Sequence, residues 1–143
     1  MIHPALVINI GIDRPLELVA RYLADPRNFP LWASGLAGGL SPKRELTPAG
    51  DEAEVWVANS PQGRVKLRFS PPNAFGVADH WVHLPDGTVV YVPLRAVANG
   101  DGSDVSLTLF RRPEMDVARF AADAEWVRRD LATLKRVLEA ERA

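Results

Sequence analysis

From Met115 to Ala143 the chain contains neither Gly nor Pro, and Phe120, Ala124, Val127, Leu131, Leu134 and Leu138 recur there at spacings of four and three. That period places all six on one face of a helix. At about 1.5 Å per residue the helix reaches roughly 40 Å, more than a small core requires, so it is expected to cross the width of a curved sheet. The preceding residues must supply that sheet. A helix gripped in this way leaves room for a cavity between itself and the strands, and such a cavity suits a small apolar molecule.

The chain reads as strands where a sheet is needed. Leu6, Ile8, Ile10 and Ile12 alternate with Val7, Asn9 and Gly11, which predicts a first strand over Ala5–Ile12. Asp13 and Pro15 open a short helix, Asp13 as an acceptor for free N–H groups and Pro15 in the first turn, and Asp25-Pro26 ends it. A second short helix is expected at Phe29-Pro30-Leu31-Trp32. Gly35, Gly38 and Gly39 follow as a turn, without the spacing of a phosphate-binding loop. From Leu40 to Phe110, turn signals at Pro48-Ala49-Gly50, Ser60-Pro61-Gln62-Gly63, Pro71-Pro72-Asn73, Pro85-Asp86-Gly87 and Asn99-Gly100-Asp101-Gly102 separate six strands of an antiparallel meander.

Composition limits the function classes. At 143 residues, 47% hydrophobic and 24% charged, the chain suffices for one core, and a single domain spanning residues 1–143 is expected. A formal charge of −1 supplies no field for nucleic acid or anionic membranes. The absence of cysteine excludes disulfides, thiolate catalysis and cysteine-ligated metals. Met1-Ile2-His3-Pro4 has no signal-peptide character, and no apolar run approaches the ~18 residues of a membrane span, so a cytoplasmic location is expected.

Closing the fourth hairpin on Asp86-Gly87 sets Trp81 against Val92 and Asp79 against Leu94, and closing the next around Gly100-Asp101 sets Leu94 against Leu107 and Val92 against Leu109. Carried through the other turns, these registers put Trp56, Val65, Leu67, Phe69, Phe75, Val77, Val90 and Val105 on the same concave face, with Glu54, Asp79 and His83 as polar exceptions. Arg64, Lys66, Arg68, His80 and Arg95 fall on the opposite face. A one-residue slip would exchange the two sets.

Asp79 and His80 point to opposite faces of an extended strand, so only one of them enters the cavity. The register above selects Asp79 as the candidate catalytic group, with a pKa raised by its apolar surroundings. Its alternative role is a backbone cap or a bulge turned to solvent. His80 and His83, three apart on a strand, cannot share a metal, and Glu54, Asp79 and His83 follow no ligand-spacing motif, so neither metal nor cofactor is expected. No serine lies in a G-x-S-x-G context. The charged residues of the last helix, Asp123, Arg128, Arg129, Asp130, Lys135 and Arg136, read as a solvated surface. Trp126 beside them would, if exposed, suggest a homodimer contact.

The order strand, two short helices, six-strand meander and long terminal helix covers essentially the whole chain and resembles the START-like (SRPBCC) superfamily, in particular its polyketide cyclase/dehydrase-like branch. The resemblance rests on Ile8-Asn9-Ile10-Gly11-Ile12-Asp13-Arg14-Pro15, on Asp25-Pro26-Arg27-Asn28-Phe29-Pro30-Leu31-Trp32, and on Asp130-Leu131 and Leu134-Lys135 of the terminal helix. It implies an α+β helix-grip fold: a curved seven-stranded antiparallel sheet wrapped round the C-terminal helix. It carries no shared catalytic residue set. The expected ligand contacts are Trp32, Glu54, Trp56, Leu67, Phe69, Val77 and Trp81, with His83, Val92, Leu94, Leu107, Phe120, Val127 and Leu131. The expected function is binding of a small hydrophobic or aromatic ligand. The alternatives are a cyclase/dehydratase- or isomerase-like enzyme and a protein-interaction module whose cavity is filled.

Overall fold

The computed structural model describes residues 1–140, so the final residues of the predicted helix, 141–143, lie outside the described residues. Strand β1 (Ala5–Ile12) buries Ile8 and Ile12 on one side, as its alternation requires. Helix α1 (Leu16–Ala24) buries Val19 and Leu23. Pro15 is its N-cap residue, and the backbone N–H of Asp13 donates to Glu139 Oε2 at 2.8 Å. Two 3-10 segments follow, Pro26–Leu31 and Ser34–Leu36, where one short helix was expected. Asp25 opens the first by accepting from the Arg27 backbone N–H at 3.1 Å.

The meander consists of β2 (Ser41–Leu46), β3 (Glu52–Ser60), β4 (Gly63–Phe69), β5 (His80–His83), β6 (Val89–Val92), β7 (Leu94–Asn99) and β8 (Gly102–Phe110), and α2 (Val117–Ala140) closes the chain. The strands number eight in two antiparallel sheets, β1-β8-β7 and β2-β3-β4-β5-β6, rather than seven in one. Pro93 is the physical reason. It has no N–H to give a ladder and divides the apolar run 89–99 into β6, which pairs with β5, and β7, which pairs with β8. The sheets remain tied where Ala78 N donates to Leu94 O at 2.8 Å and Ala96 N to Gly76 O at 2.9 Å. At Gly76 a side chain has no room: φ is +74°, and a Cβ would lie 2.2 Å from Ala96 O.

The β7–β8 register matches the expectation, with Leu94 opposite Leu107. The β5–β6 register does not, because Trp81 faces Tyr91 and His80 faces Val92. The turn explains the slip. Gly87 N donates to Leu84 O at 3.1 Å, Leu84 N to Thr88 O at 2.8 Å, and Gly87 has φ of +90°. This is a three-residue connection, a turn with Pro85 in its second position followed by a left-handed glycine, not a two-residue loop on Asp86-Gly87. One residue of difference reverses every side chain of β5. Val77, Asp79, Trp81 and His83 therefore belong to the outer face, and His80 to the inner one.

The apolar stripe of α2 behaves as its period predicts: Ala124, Leu131, Leu134 and Leu138 are buried, and Val127 packs beside them. They meet Ile8 and Ile12 of β1, Leu94 and Ala96 of β7, Val105 and Leu107 of β8, and Val19 and Leu23 of α1. A second cluster of Trp56, Ala58, Val65 and Leu67 lies under the five-stranded sheet. No helix among the described residues is long and apolar enough to cross a membrane.

Candidate functional site

Between the five-stranded sheet and the first half of α2 the core does not close, and a cavity of about 520 Å³ remains. Val65 and Leu67 of β4, His80 and Val82 of β5, and Val90 of β6 form its floor. Val127 and Trp126 of α2 face them, and Phe29 and Trp32 from the first 3-10 segment and its end close one side. A wider cleft of about 1020 Å³ adjoins it where β6 and β8 part, and the two share Gln62, Leu84, Val90, Leu109, Arg112 and Arg119.

His80 is the polar group of the apolar floor. It is 7% exposed and touches the rings of Phe29 and Phe69 at centroid distances of 5.3 and 5.6 Å. Its Nδ1 lies 3.2 Å from Ala78 O. A carbonyl only accepts, so Nδ1 carries the proton and Nε2 the lone pair. Burial pushes the imidazole pKa down to about 4, despite the Ala78 carbonyl and the Asp79 charge that favour the cation. The ring is neutral at physiological pH. In the same wall the Trp32 indole N–H is buried without a hydrogen-bond partner.

The mouth is polar. Arg119 pairs with Asp123 at 3.2 Å and Arg112 with Glu114 at 2.7 Å. Asp130 accepts from Ser34 Oγ at 2.8 Å and from Ser34 N at 3.3 Å. Burial nevertheless raises its pKa, opposed by the Ser34 and Trp126 hydrogen bonds. Asp123 and Asp130 thus turn toward the cavity, although the charge pattern of the helix reads as a solvated surface. Trp126 is 39% exposed at this mouth.

Asp79 lies elsewhere. It is 5% exposed on the outer face, and its carboxylate accepts from Tyr91 Oη at 2.7 Å, Leu94 N at 2.9 Å, and Arg95 Nη2 and Nε at 2.9 and 3.3 Å. Burial alone would raise its pKa, but the Arg95, Tyr91 and Leu94 hydrogen bonds outweigh it and hold the carboxyl below its ordinary value. This corrects the expected place of Asp79 in the cavity and its raised pKa: an ionised carboxylate with four donors ties β6 to β7. The ring of Tyr91 stacks on Trp81 at 5.1 Å and on Phe110 at 6.3 Å, so that outer cluster is continuous.

Of the other expected contacts, Trp32, Leu67, Leu107 and Val127 line the cavity. Trp56, Phe69, Val92, Leu94 and Leu131 pack in the clusters around it without lining it. Phe120 is half-buried near the start of α2 and is not among the lining residues. Glu54 is exposed and accepts from Trp56 Nε1 at 3.2 Å. Val77 sits outside at the bridge to Arg95, Trp81 lies under Tyr91, and His83 Nε2 meets Arg68 Nε at 3.0 Å. Glu54, Asp79 and His83 are thus not brought together, and no three potential metal-binding side chains cluster among the described residues. Besides His80, the cavity is lined by Val82 and Leu84, which the expected register leaves off the concave face, and by Val90 and Leu109, which lie on that face but are not among the expected contacts. His80, Val82 and Leu84 follow from the three-residue turn at Pro85, since a two-residue loop would put that proline opposite Thr88 in the strand.

No protein-family model and no curated protein matches the sequence. Solved structures do. A START superfamily protein from Mycobacterium smegmatis superposes with a TM-score of 0.69 at 10% identity, over 95% of this chain and 97% of that one. DynU16, a protein of the dynemicin biosynthetic locus, gives 0.67 at 13% identity over 94% of this chain, which spans only 47% of DynU16. The Aha1 dimer from Colwellia psychrerythraea gives 0.64 at 14% identity, over 98% of this chain and 99% of that one. The likeness to all three at this level is one of fold, and the fold of this chain is START-like.

Proposed function

We propose that residues 1–143 form one cytoplasmic domain that binds a small hydrophobic or aromatic molecule in the cavity between the five-stranded sheet and α2. The observation that carries this reading is the open volume of about 520 Å³, floored by Val65, Leu67, Val82 and Val90 and provided with few polar groups. A concave, mostly apolar pocket with a small number of placed polar atoms is the form that small-molecule sites take. The open volume argues against an interaction module with a filled cavity.

A second reading, a cyclase/dehydratase- or isomerase-like enzyme, draws on Asp130. Its raised pKa at the cavity mouth is the property a proton-transfer carboxyl needs. His80 supports it less, because a pKa of about 4 makes a weak base. The Aha1 neighbour described as a dimer, with half-exposed Trp126, keeps a homodimer within the proposal.

Titration with a panel of small aromatics, followed by tryptophan emission, tests the binding reading. Trp32 and Trp126 line the cavity, so saturable change is expected for at least one compound, and its loss is expected in a cavity-filling Val82→Trp variant that unfolds at the parental temperature. No saturable change with any compound, or unaltered binding in the filled variant, rejects it.

A further inference from the structure

We propose that the cavity selects an uncharged, hydroxyl-bearing apolar molecule, a phenol or ring alcohol, and that His80 reads the hydroxyl by accepting its hydrogen bond at Nε2. The inference rests on the ligand-binding reading above and names the chemistry of the ligand. Its basis is an acceptor left unused. With Nδ1 committed to Ala78 O, the lone pair of His80 is at Nε2, and among the described residues no donor reaches that atom. The ring is more than nine-tenths buried, yet it lines the cavity. An acceptor that borders an apolar cavity and has no protein donor is open to a ligand that brings one.

Only a donor fits. A carboxylate brings lone pairs alone and would meet Nε2 with like charge density, while an ammonium would lose its hydration in a wall of Phe29, Val82 and Leu67, with the carboxylates Asp123 and Asp130 at the mouth. The mouth does not change this, because Arg119 and Arg112 are already paired with Asp123 and Glu114. In the same wall the Trp32 indole N–H, buried without a partner, needs an acceptor, and Trp32 rests at 5.1 Å on the Phe29 ring that His80 also touches. A hydroxyl is the smallest group that both donates and accepts, and a hydrocarbon does neither.

Calorimetric titrations of the full chain with 2-naphthol, its methyl isostere 2-methylnaphthalene and the anion 2-naphthoate test the proposal in the parent and in His80→Leu. In the parent, 2-naphthol should bind about tenfold more tightly than 2-methylnaphthalene, with 2-naphthoate weakest. In His80→Leu the first two should fall within about twofold of each other, with 2-methylnaphthalene little changed. Equal or tighter binding of 2-methylnaphthalene in the parent refutes the hydroxyl preference alone and leaves the cavity reading intact. A preference that survives in His80→Leu refutes the role of His80. Failure of all three to bind refutes both readings. Nitrogen-15 spectra of histidine-labelled parent protein need no variant: saturation with 2-naphthol should move the unprotonated-nitrogen resonance of His80 upfield and 2-methylnaphthalene should not, and an unmoved resonance overturns the assignment.

Discussion

The two faces of β5 carry the polar groups that invite a functional reading, and they use them in opposite ways. On the outer face Asp79 is surrounded by donors from Tyr91, Leu94 and Arg95, and Trp81 is covered by Tyr91. On the inner face His80 has one partner, the Ala78 carbonyl, and stands beside open volume. The Asp79 carboxylate, with four donors on its two oxygens, has no acceptor site left for a ligand. A carboxylate that looks catalytic in a list of residues is structural once its acceptors are counted, and a lone imidazole in an apolar floor keeps the unused atom.

Both faces depend on the packed end of α2, and removing that support breaks the comparison most severely. Leu134 is fully buried against the three-stranded sheet, whereas Val127 borders the cavity. Leu134→Ala should cost about 2–5 kcal/mol and Val127→Ala well under half of that, because the second site already lacks close-packed neighbours on one side. Urea midpoints for the two variants measure this, and equal losses would mean that the cavity is closed.

Acid sharpens the contrast by acting on the inner face first. The folded pKa of His80, about 4, lies below its ordinary 6.5. Between those values the unfolded chain holds a proton that the folded chain lacks, so stability falls as pH is lowered through this window. Above it both states are neutral, and below about 4 both are protonated. The full effect is about 3 kcal/mol, absent in His80→Leu. Asp79 acts later, since its depressed pKa gives stability that is present above 3.8 and lost as pH falls through the folded value. Asp130, with a raised pKa, adds a slope of the opposite sign just above 3.8. Urea midpoints from pH 7 to 4 should fall in the parent relative to His80→Leu, and parallel curves would contradict a buried neutral imidazole.

The outer face should answer to mutation in stability alone. Asp79→Ala leaves the Leu94 N–H and the Tyr91 hydroxyl without an acceptor and should cost about 1–3 kcal/mol. The half-exposed Arg95 guanidinium adds little to that figure. Affinity for an aromatic ligand should remain within about twofold of the parent. A large loss of affinity in a folded variant would assign the outer face a functional role.

What the sequence made legible follows from how many residues vote for each feature. The α2 stripe is specified by six apolar positions over four or more turns, so no single residue decides it, and the β7–β8 register has Leu94, Val105 and Leu107 all demanding one face. The face of β5 hangs on one turn. Alternating residues there are Asp79, Trp81 and His83 against His80, Val82 and Leu84, mixed sets whose hydrophobicity does not choose between them, and the geometry around Pro85 decides. The expectation of one strand between the turns at Gly87 and Asn99 passes over the missing N–H of Pro93. Its consequence, two sheets parting between β6 and β8, depends on tertiary packing that no local pattern records.

The measurement closest to the central claim is a methyl- and indole-resolved NMR titration of the parent protein with a small aromatic ligand such as 2-naphthol. With the inner face of β5 as the site, the indole signals of Trp32 and Trp126 and the methyls of Val82, Leu107 and Val127 should shift together and saturate at one concentration, while the Trp81 indole and the Tyr91 ring stay in place. Movement of Trp81 and Tyr91 with the cavity residues unchanged would contradict the account.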